Sequence, residues 1–395
     1  MSTGVGNLLR KRDGNEAHVS YVELFFDLVY VFAVTQLAHR LIGDLSALGA
    51  LQTLVLWFAV WLGWQYTCWV TNWFDPETMS IRLLMFAIML AGLVMSAAIP
   101  EAFGHRGLIF AGAYATIQVG RTLFVLLQLE RGNALVPNFR RMLAWLSLSA
   151  ALWITGGFSD GHLRLTLWLL AVACEYLSPM IGLWIPGLGR SQTSDWTIEG
   201  GHMAERCQLF VIVALGESIL DTGTSLDHTA WWDLPILIAF LVAFLGSVAM
   251  WWVYFDTSSH DGSEAITHSK DPGRMGAYFH YVHVFIVAGV IVSAVANEMA
   301  IAHPDQRIVA SHLGVLLGGP AIYLFGNAIY KKVVYGRFPL SHLSGLVALA
   351  VLVPPGFLTD QLMISGLTTL ILLAVAGWSS WARRHTTYAS PLQNR

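Results

Sequence analysis

Glu23 and Asp27 stand four residues apart in the run VSYVELFFDLVYVFAVTQLAHRL, residues 19–41, which is otherwise apolar enough to sit in a bilayer. On a helix, positions i and i+4 share a face. Two carboxylates that close rarely stay ionised together, so one is expected to hold a proton at neutral pH. Charge at mid-bilayer costs at least about 2.5–3.5 kcal/mol on insertion scales, and it persists where it pairs, lines water or works. Proton exchange and the holding of a cationic group are the chemistry such a pair can do.

The run GHMAERCQLFVIVALGESIL, residues 201–220, adds His202, Glu205, Arg206 and Glu217. Arg206 and Glu217 are eleven residues apart, three helical turns, and project from one face. A carboxylate as deep as Glu217 needs a proton or a partner. In YFHYVHVFIVAGVIVSAVANE, residues 278–298, His280 and His283 lie one turn apart, with Glu298 on the stripe of His280 near the other end. Histidine titrates near neutrality and carries protons readily. Glu175 and Arg121 are further charges inside apolar runs that could pair. His202 with Glu205 and His280 with His283 have ligand-capable spacing, but short histidine spacings arise by chance. No metal and no cofactor is assigned. There is no Gly-rich phosphate loop after a strand, no G-x-S-x-G and no CxxC. Cys68, Cys174 and Cys207 form no disulfide framework. The tryptophan-rich runs WFAVWLGWQYTCW and WWVYF read as interface anchors and packing.

What must position these residues is a set of membrane helices. Only 12% of the chain is charged, mean hydropathy is +0.59, and 36 glycines and 16 tryptophans accompany the apolar runs. A soluble domain is about 25% charged. The net charge of -3 does not point to nucleic acid. The polar N-terminus and the long, acidic first apolar run do not make a cleavable signal peptide. Apolar runs predict an all-α, polytopic fold with about twelve spans, near 20–41, 48–71, 80–100, 107–128, 139–158, 163–184, 203–222, 231–255, 277–299, 307–330, 338–355 and 361–381. Sixteen Lys and Arg then fall on one side and only Arg40, Arg106, Arg164 and Arg307 on the other. Positive residues collect in the cytoplasm, so both termini are expected there.

Internal repetition organises the spans. ELFFDLVYVFA from Glu23 lies over ERCQLFVIVAL from Glu205, and WVTNWFD ending at Asp75 over WWVYFD ending at Asp256. AGLVMSAAIPE (91–101) lies over AGVIVSAVANE (288–298), and GGF at 156–158 over PGF at 355–357. The order is preserved, which points to two six-helix repeats, 1–190 and 199–385, with a cytoplasmic tail at 386–395. Six spans is an even number, so both repeats enter the membrane from the same side and are parallel. The polar stretch 257–276, with its mixed charges, is the expected surface for a partner.

The blocks VELFFDLVYVFAVTQLAH, GHMAERCQLFVIVALGESIL and YVHVFIVAGVIVSAVANE resemble the three signature blocks of the bacterial low temperature requirement A (LtrA) membrane family. The resemblance picks out Glu23, Phe26, Asp27, Gln36 and His39, then His202, Glu205, Arg206, Gly216, Glu217 and Ser218, then His283 and Glu298. The family pattern often carries proline two positions after that last histidine, where this chain has Phe285. The resemblance implies a fold and a motif set, but no reaction.

Three function classes follow. The favoured one is a transporter-like carrier of the bacterial cytoplasmic (inner) membrane. In it Glu23, Asp27, Glu205 and Glu217 line a central cavity, their protonation drives a small solute, and Arg206 holds an anionic group or resets a carboxylate. His202, His280, His283 and Glu298 complete the proton-relay candidates. The second class is a membrane enzyme that protonates a lipid or isoprenoid, and the third is a sensor or scaffold of membrane state. The expected partners are the bilayer and a small-molecule or lipid ligand.

Overall fold

The computed structural model describes residues 8–10, 18–130, 132–196, 198–227, 229, 232–256 and 259–385. Among these the chain is all helix, with isolated bridges such as Leu9 to Phe74 and no strand. The helices, in chain order, are α1 (Tyr21–Gly43), α2 (Ala47–Trp73), α3 (Met79–Ala98), α4 (Gly107–Gln128), α5 (Val136–Phe158), α6 (Gly161–Met180) and α7 (Gly200–Asp227). They continue as α8 (Leu234–Phe255), the short α9 (Ser259–Thr267), α10 (Pro272–Ala302), α11 (Ala310–Tyr335), α12 (Leu340–Val351) and α13 (Gln361–His385).

Local chemistry sets the ends. Ser20 and Ser46 accept from the first-turn amides of α1 and α2. Gly336, at φ 76°, closes α11 in the left-handed conformation that glycine adopts without strain.

Ten helices among the described residues are long and apolar enough to cross a membrane, and the protein is a multi-pass membrane protein. The expectation of about twelve spans meets two exceptions. α5 fills the fifth predicted interval, but Arg140 and Arg141 in its first turns and the scattered Ser, Thr and Gly dilute its hydropathy. α12 fills the eleventh but has only 12 residues, because Pro354 and Pro355 have no N–H to continue the ladder and the chain re-forms as a single turn, Val353–Gly356. The stretch 257–276, expected as a polar loop, contains α9 and the start of α10. The predicted tail at 386–395 lies outside the described residues.

The chain divides into two compact units: residues 1–206 with 266–277, and 207–265 with 278–395. In the first, α1 packs on α2 and α3, α3 on α4, α4 on α5, α5 on α6, and α2 on α6. Its core is aromatic, with Trp61, Trp64, Trp153, Trp168 and Tyr114 fully buried. Trp61 and Trp64 are therefore packing residues and not interface anchors. In the second unit, α8 packs on α13, and α11, α12 and α13 pack on one another.

Candidate functional site

The site grows from the N-terminus of α1, within the first unit. Ser20 and Glu23 form a capping box. The Ser20 hydroxyl accepts from the Glu23 amide, and the Glu23 carboxylate accepts from the Ser20 amide at 2.9 Å. One Glu23 oxygen also receives the Ser20 hydroxyl and Arg10 Nη2, each at 2.9 Å. Arg10 is held along the last turn of α2, donating through Nε to the Thr71 carbonyl (2.7 Å) while its amide donates to the Trp73 carbonyl (2.9 Å). A cation on those carbonyls complements the negative helix end.

The other Glu23 oxygen faces His202 Nε2 at 2.9 Å. Asn72 Oδ1 accepts from the Glu199 amide (2.8 Å), and Asn72 Nδ2 donates to the Glu199 carbonyl (2.8 Å). The Asn72 amide therefore cannot turn over. Its Nδ2 also faces His202 Nδ1 at 3.1 Å, which ties the imidazole to the end of α2. Arg10 Nη2 lies 3.2 Å from the same Nε2, so this edge of the ring faces both the carboxylate and the guanidinium. Glu199 in turn caps the start of α7, accepting from the amides of Gly201 and His202.

One turn deeper, Asp27 meets Arg206 from the second turn of α7. Arg206 Nη1 donates to Oδ2 at 2.9 Å and Nη2 to Oδ1 at 2.7 Å, a bidentate pair with both residues fully buried. Such fork-on-fork pairing is the strongest carboxylate contact that arginine makes. Trp64 Nε1 adds a third hydrogen bond to Oδ1 at 2.7 Å, and Cys68 Sγ takes Arg206 Nη2 at 3.3 Å. The guanidinium also lies 5.9 Å from the Phe26 ring centroid and 5.8 Å from that of Trp64, within cation–π range.

Glu23, Asp27, His202 and Arg206 thus come together in one unit, and Glu205 stands beside them, half-buried and accepting from the Val19 amide at 3.2 Å. Each carboxylate faces a cation of its own, Glu23 that of Arg10 and Asp27 that of Arg206. Arg206 spends its fork on Asp27, not on the Glu217 face.

The remaining candidates belong to the second unit. Glu217 and Glu298 are half-buried there, and His280 is buried. His283 donates through Nδ1 to the Phe279 carbonyl (2.6 Å) and accepts the Tyr254 hydroxyl at Nε2 (2.7 Å). It is a packed histidine with both nitrogens used. Among the described residues no group of three or more His, Cys, Asp or Glu is placed to hold a metal ion.

Glu175 and Arg121 turn out to be linked without touching. Glu175 on α6 receives Ser149 Oγ (2.5 Å), Trp153 Nε1 (3.2 Å) and the Tyr114 hydroxyl. Gln118 Nε2 donates to Tyr114 (2.8 Å), and Gln118 Oε1 receives Arg121. Arg121 also reaches the Thr67 hydroxyl (3.0 Å) and the Gly63 carbonyl (3.2 Å). The π-helical turn Thr116–Gly120 in α4 carries Gln118; π turns recur where a helix must re-aim side chains.

Reading by spacing missed Arg10, Trp64, Asn72 and Glu199. The S-x-x-E capping pattern at 20–23 was a visible cue for the role of Glu23; the distant partners had none.

Comparison with known proteins bears on the same residues. The family described as Bacterial low temperature requirement A protein (LtrA) matches residues 18–377. A protein of Rhizobium meliloti (strain 1021), described as uncharacterized protein RA0937, is 40% identical over 383 residues, covering 95% of this chain and 92% of the relative. No solved structure gives a significant match.

Proposed function

The chain belongs to the bacterial low temperature requirement A (LtrA) family, and from that premise we propose that it is a transporter-like carrier of the inner membrane whose switching element is the Asp27–Arg206 pair. The observation that carries this reading is a fully buried ion pair inside apolar helices. A pair of that kind costs desolvation that an apolar pair of equal volume avoids, and intramembrane charge marks pathways and proton relays. A proton reaching Asp27 would take the place of Arg206 as its partner. The freed guanidinium then requires a counter-charge, since a lone cation at that depth is strongly disfavoured. The balanced event is entry of one proton on Asp27 together with an anionic group on Arg206. Glu23, with His202 and Arg10, is the proton's neighbouring station, and Glu205, Glu217, His280, His283 and Glu298 remain the further relay candidates.

Two parallel six-helix repeats, 1–190 and 199–385, remain the proposed architecture, with both termini in the cytoplasm. Matching packing supports it: α2 on α6, α4 on α5 and α5 on α6 in one unit correspond to α8 on α13, α11 on α12 and α12 on α13 in the other.

Reconstituted vesicles test the carrier reading. Asp27→Asn and Glu217→Gln are expected to abolish pH-driven flux in protein that still purifies as folded. Unchanged flux in both variants would remove the proposal. One observation favours the scaffold reading instead: three protein donors, two from Arg206 and one from Trp64, already hold the Asp27 carboxylate. On that reading the same substitutions lower folding yield and leave no transport to lose.

A further inference from the structure

A cleft in the second unit lies among α8, α10, α11 and α13; the empty space in it and at its open mouth is about 350 Å3, and its closed floor has room for little more than a water, so that a larger ligand would extend into the mouth. Its polar lining is Ser293 and Asn297 on α10 with Ser365, Thr368 and Thr369 on α13. The α10 pair is spaced i, i+4 and the α13 trio i, i+3 and i+4, so each set projects from one helix face. No charged side chain lines it; the rest of the wall includes Gly246, Ala296, Leu316 and Pro320.

Two groups in this wall lack their ordinary partners. Ser293 is 4% exposed, and its hydroxyl has no hydrogen-bond partner. Its counterpart in the sequence repeat, Ser96, occupies the same place in an A-G-x-x-x-S-A pattern and donates to the Gly92 carbonyl at 2.7 Å. A serine inside a helix ordinarily bonds back to its i−4 carbonyl in that way, and Ser293 does not. Pro320 sits inside α11 and has no N–H for the carbonyl of Leu316, one turn earlier on the cleft wall. Unpaired polar groups in a low-dielectric interior cost about 1–3 kcal/mol each. A ligand hydroxyl in the cleft would supply the partner that Ser293 lacks.

The α13 hydroxyls behave differently. Thr368 donates to the Ser365 carbonyl (2.9 Å) and Thr369 to the Val242 carbonyl (3.4 Å). With those hydrogens spent, their oxygens remain as acceptors. The cleft therefore offers acceptors on one side and hydroxyl and amide groups of either sense on the other, with no fixed charge. We propose that it binds a small uncharged solute bearing hydroxyl groups, of the polyol class, with Ser293 and Asn297 as its principal contacts. A charged ligand would lose hydration here without meeting an opposite charge. The site is separate from the Asp27–Arg206 pair and does not rest on the carrier reading.

Saturation-transfer-difference NMR of glycerol, with the full chain in lipid nanodiscs, tests this. Transfer to glycerol is expected with the native protein and with Ser96→Ala, and at least a fivefold loss with Ser293→Val/Asn297→Leu. Erythritol should displace glycerol, while lactate and ethylammonium at equal concentration should not. Should the double variant misfold, Ser293→Cys in a background lacking Cys68, Cys174 and Cys207 supplies a second readout: glycerol should slow its modification by an uncharged thiol reagent. Absence of transfer, transfer that survives the double substitution, stronger displacement by a charged analogue, or a modification rate indifferent to glycerol would each overturn the proposal.

Discussion

The first unit buries two acid–arginine couples and treats them in opposite ways. Asp27 and Arg206 meet face to face in a bidentate pair. Glu175 and Arg121 are held apart by Tyr114 and Gln118, and every direct contact of the Glu175 carboxylate is with a neutral donor. The direct couple depends on its two charges being present together. The spaced couple depends on a chain of neutral groups, none of which strands a full charge when it is lost. The difference separates an element that charge can switch from one that hydrogen bonding locks.

Arg206→Met should have the largest effect. It leaves the Asp27 carboxylate buried without a cation, and removing one member of such a pair costs about 3–5 kcal/mol. Unfolding in mixed micelles would measure the loss, and Asp27→Leu combined with Arg206→Met should recover most of it. Failure of the double variant to recover would mean that the pair does more than neutralise itself. Next comes Tyr114→Phe, at a cost of roughly 1–3 kcal/mol, since Glu175 keeps Ser149 and Trp153 and only Gln118 Nε2 is left unsatisfied. A cost equal to that of Arg206→Met would erase the distinction between the two couples.

Gly63→Ala should follow, because its new Cβ would lie 2.9 Å from the Tyr30 hydroxyl, in a helix turn whose carbonyl also holds Arg121. Overpacking of this kind costs about 1–3 kcal/mol, and the low end is expected because one hydroxyl is the sole close contact.

The smallest effect lies outside the membrane helices, at the end of α8. The Ser380 hydroxyl donates to Asp256 at 2.6 Å and Arg383 stands 3.4 Å away, which together hold the Asp256 carboxyl below the usual carboxylate range. A folded-state value below the unfolded one means stabilisation that is complete above the ordinary aspartate value, about 3.9, and lost as pH falls through the lower folded value. Ser380→Ala should therefore lower stability slightly at neutral pH and leave it unchanged at pH values below the folded one, so that the acid limb of the stability–pH curve becomes shallower.

How much of this was legible beforehand follows from sequence separation. The Glu23–Asp27 pair is four residues apart and visible as one helix face. Its partners Arg206 and His202 stand 179 residues away from Asp27 and Glu23, and nothing local couples them, although the repeat offset laid ELFFD over ERCQL. Asn72, 130 residues from His202, holds the imidazole through a contact that no spacing could indicate. Arg121 and Glu175 stood out as buried charges, yet their connection runs through a π turn that leaves no compositional trace. Twelve apolar runs were readable and all hold helix, but the proline pair at 354–355 shortens the eleventh below a span.

Infrared difference spectroscopy of the protein in lipid, recorded as the pH is stepped, reads carboxyl protonation directly. If the Asp27–Arg206 pair is a proton switch, a protonated-carboxyl band appears on acidification in the presence of a permeant anion and vanishes in Asp27→Asn. A band that Asp27→Asn leaves intact, or a spectrum with no anion-dependent carboxyl signal, would show that the pair stays closed and the switch does not exist.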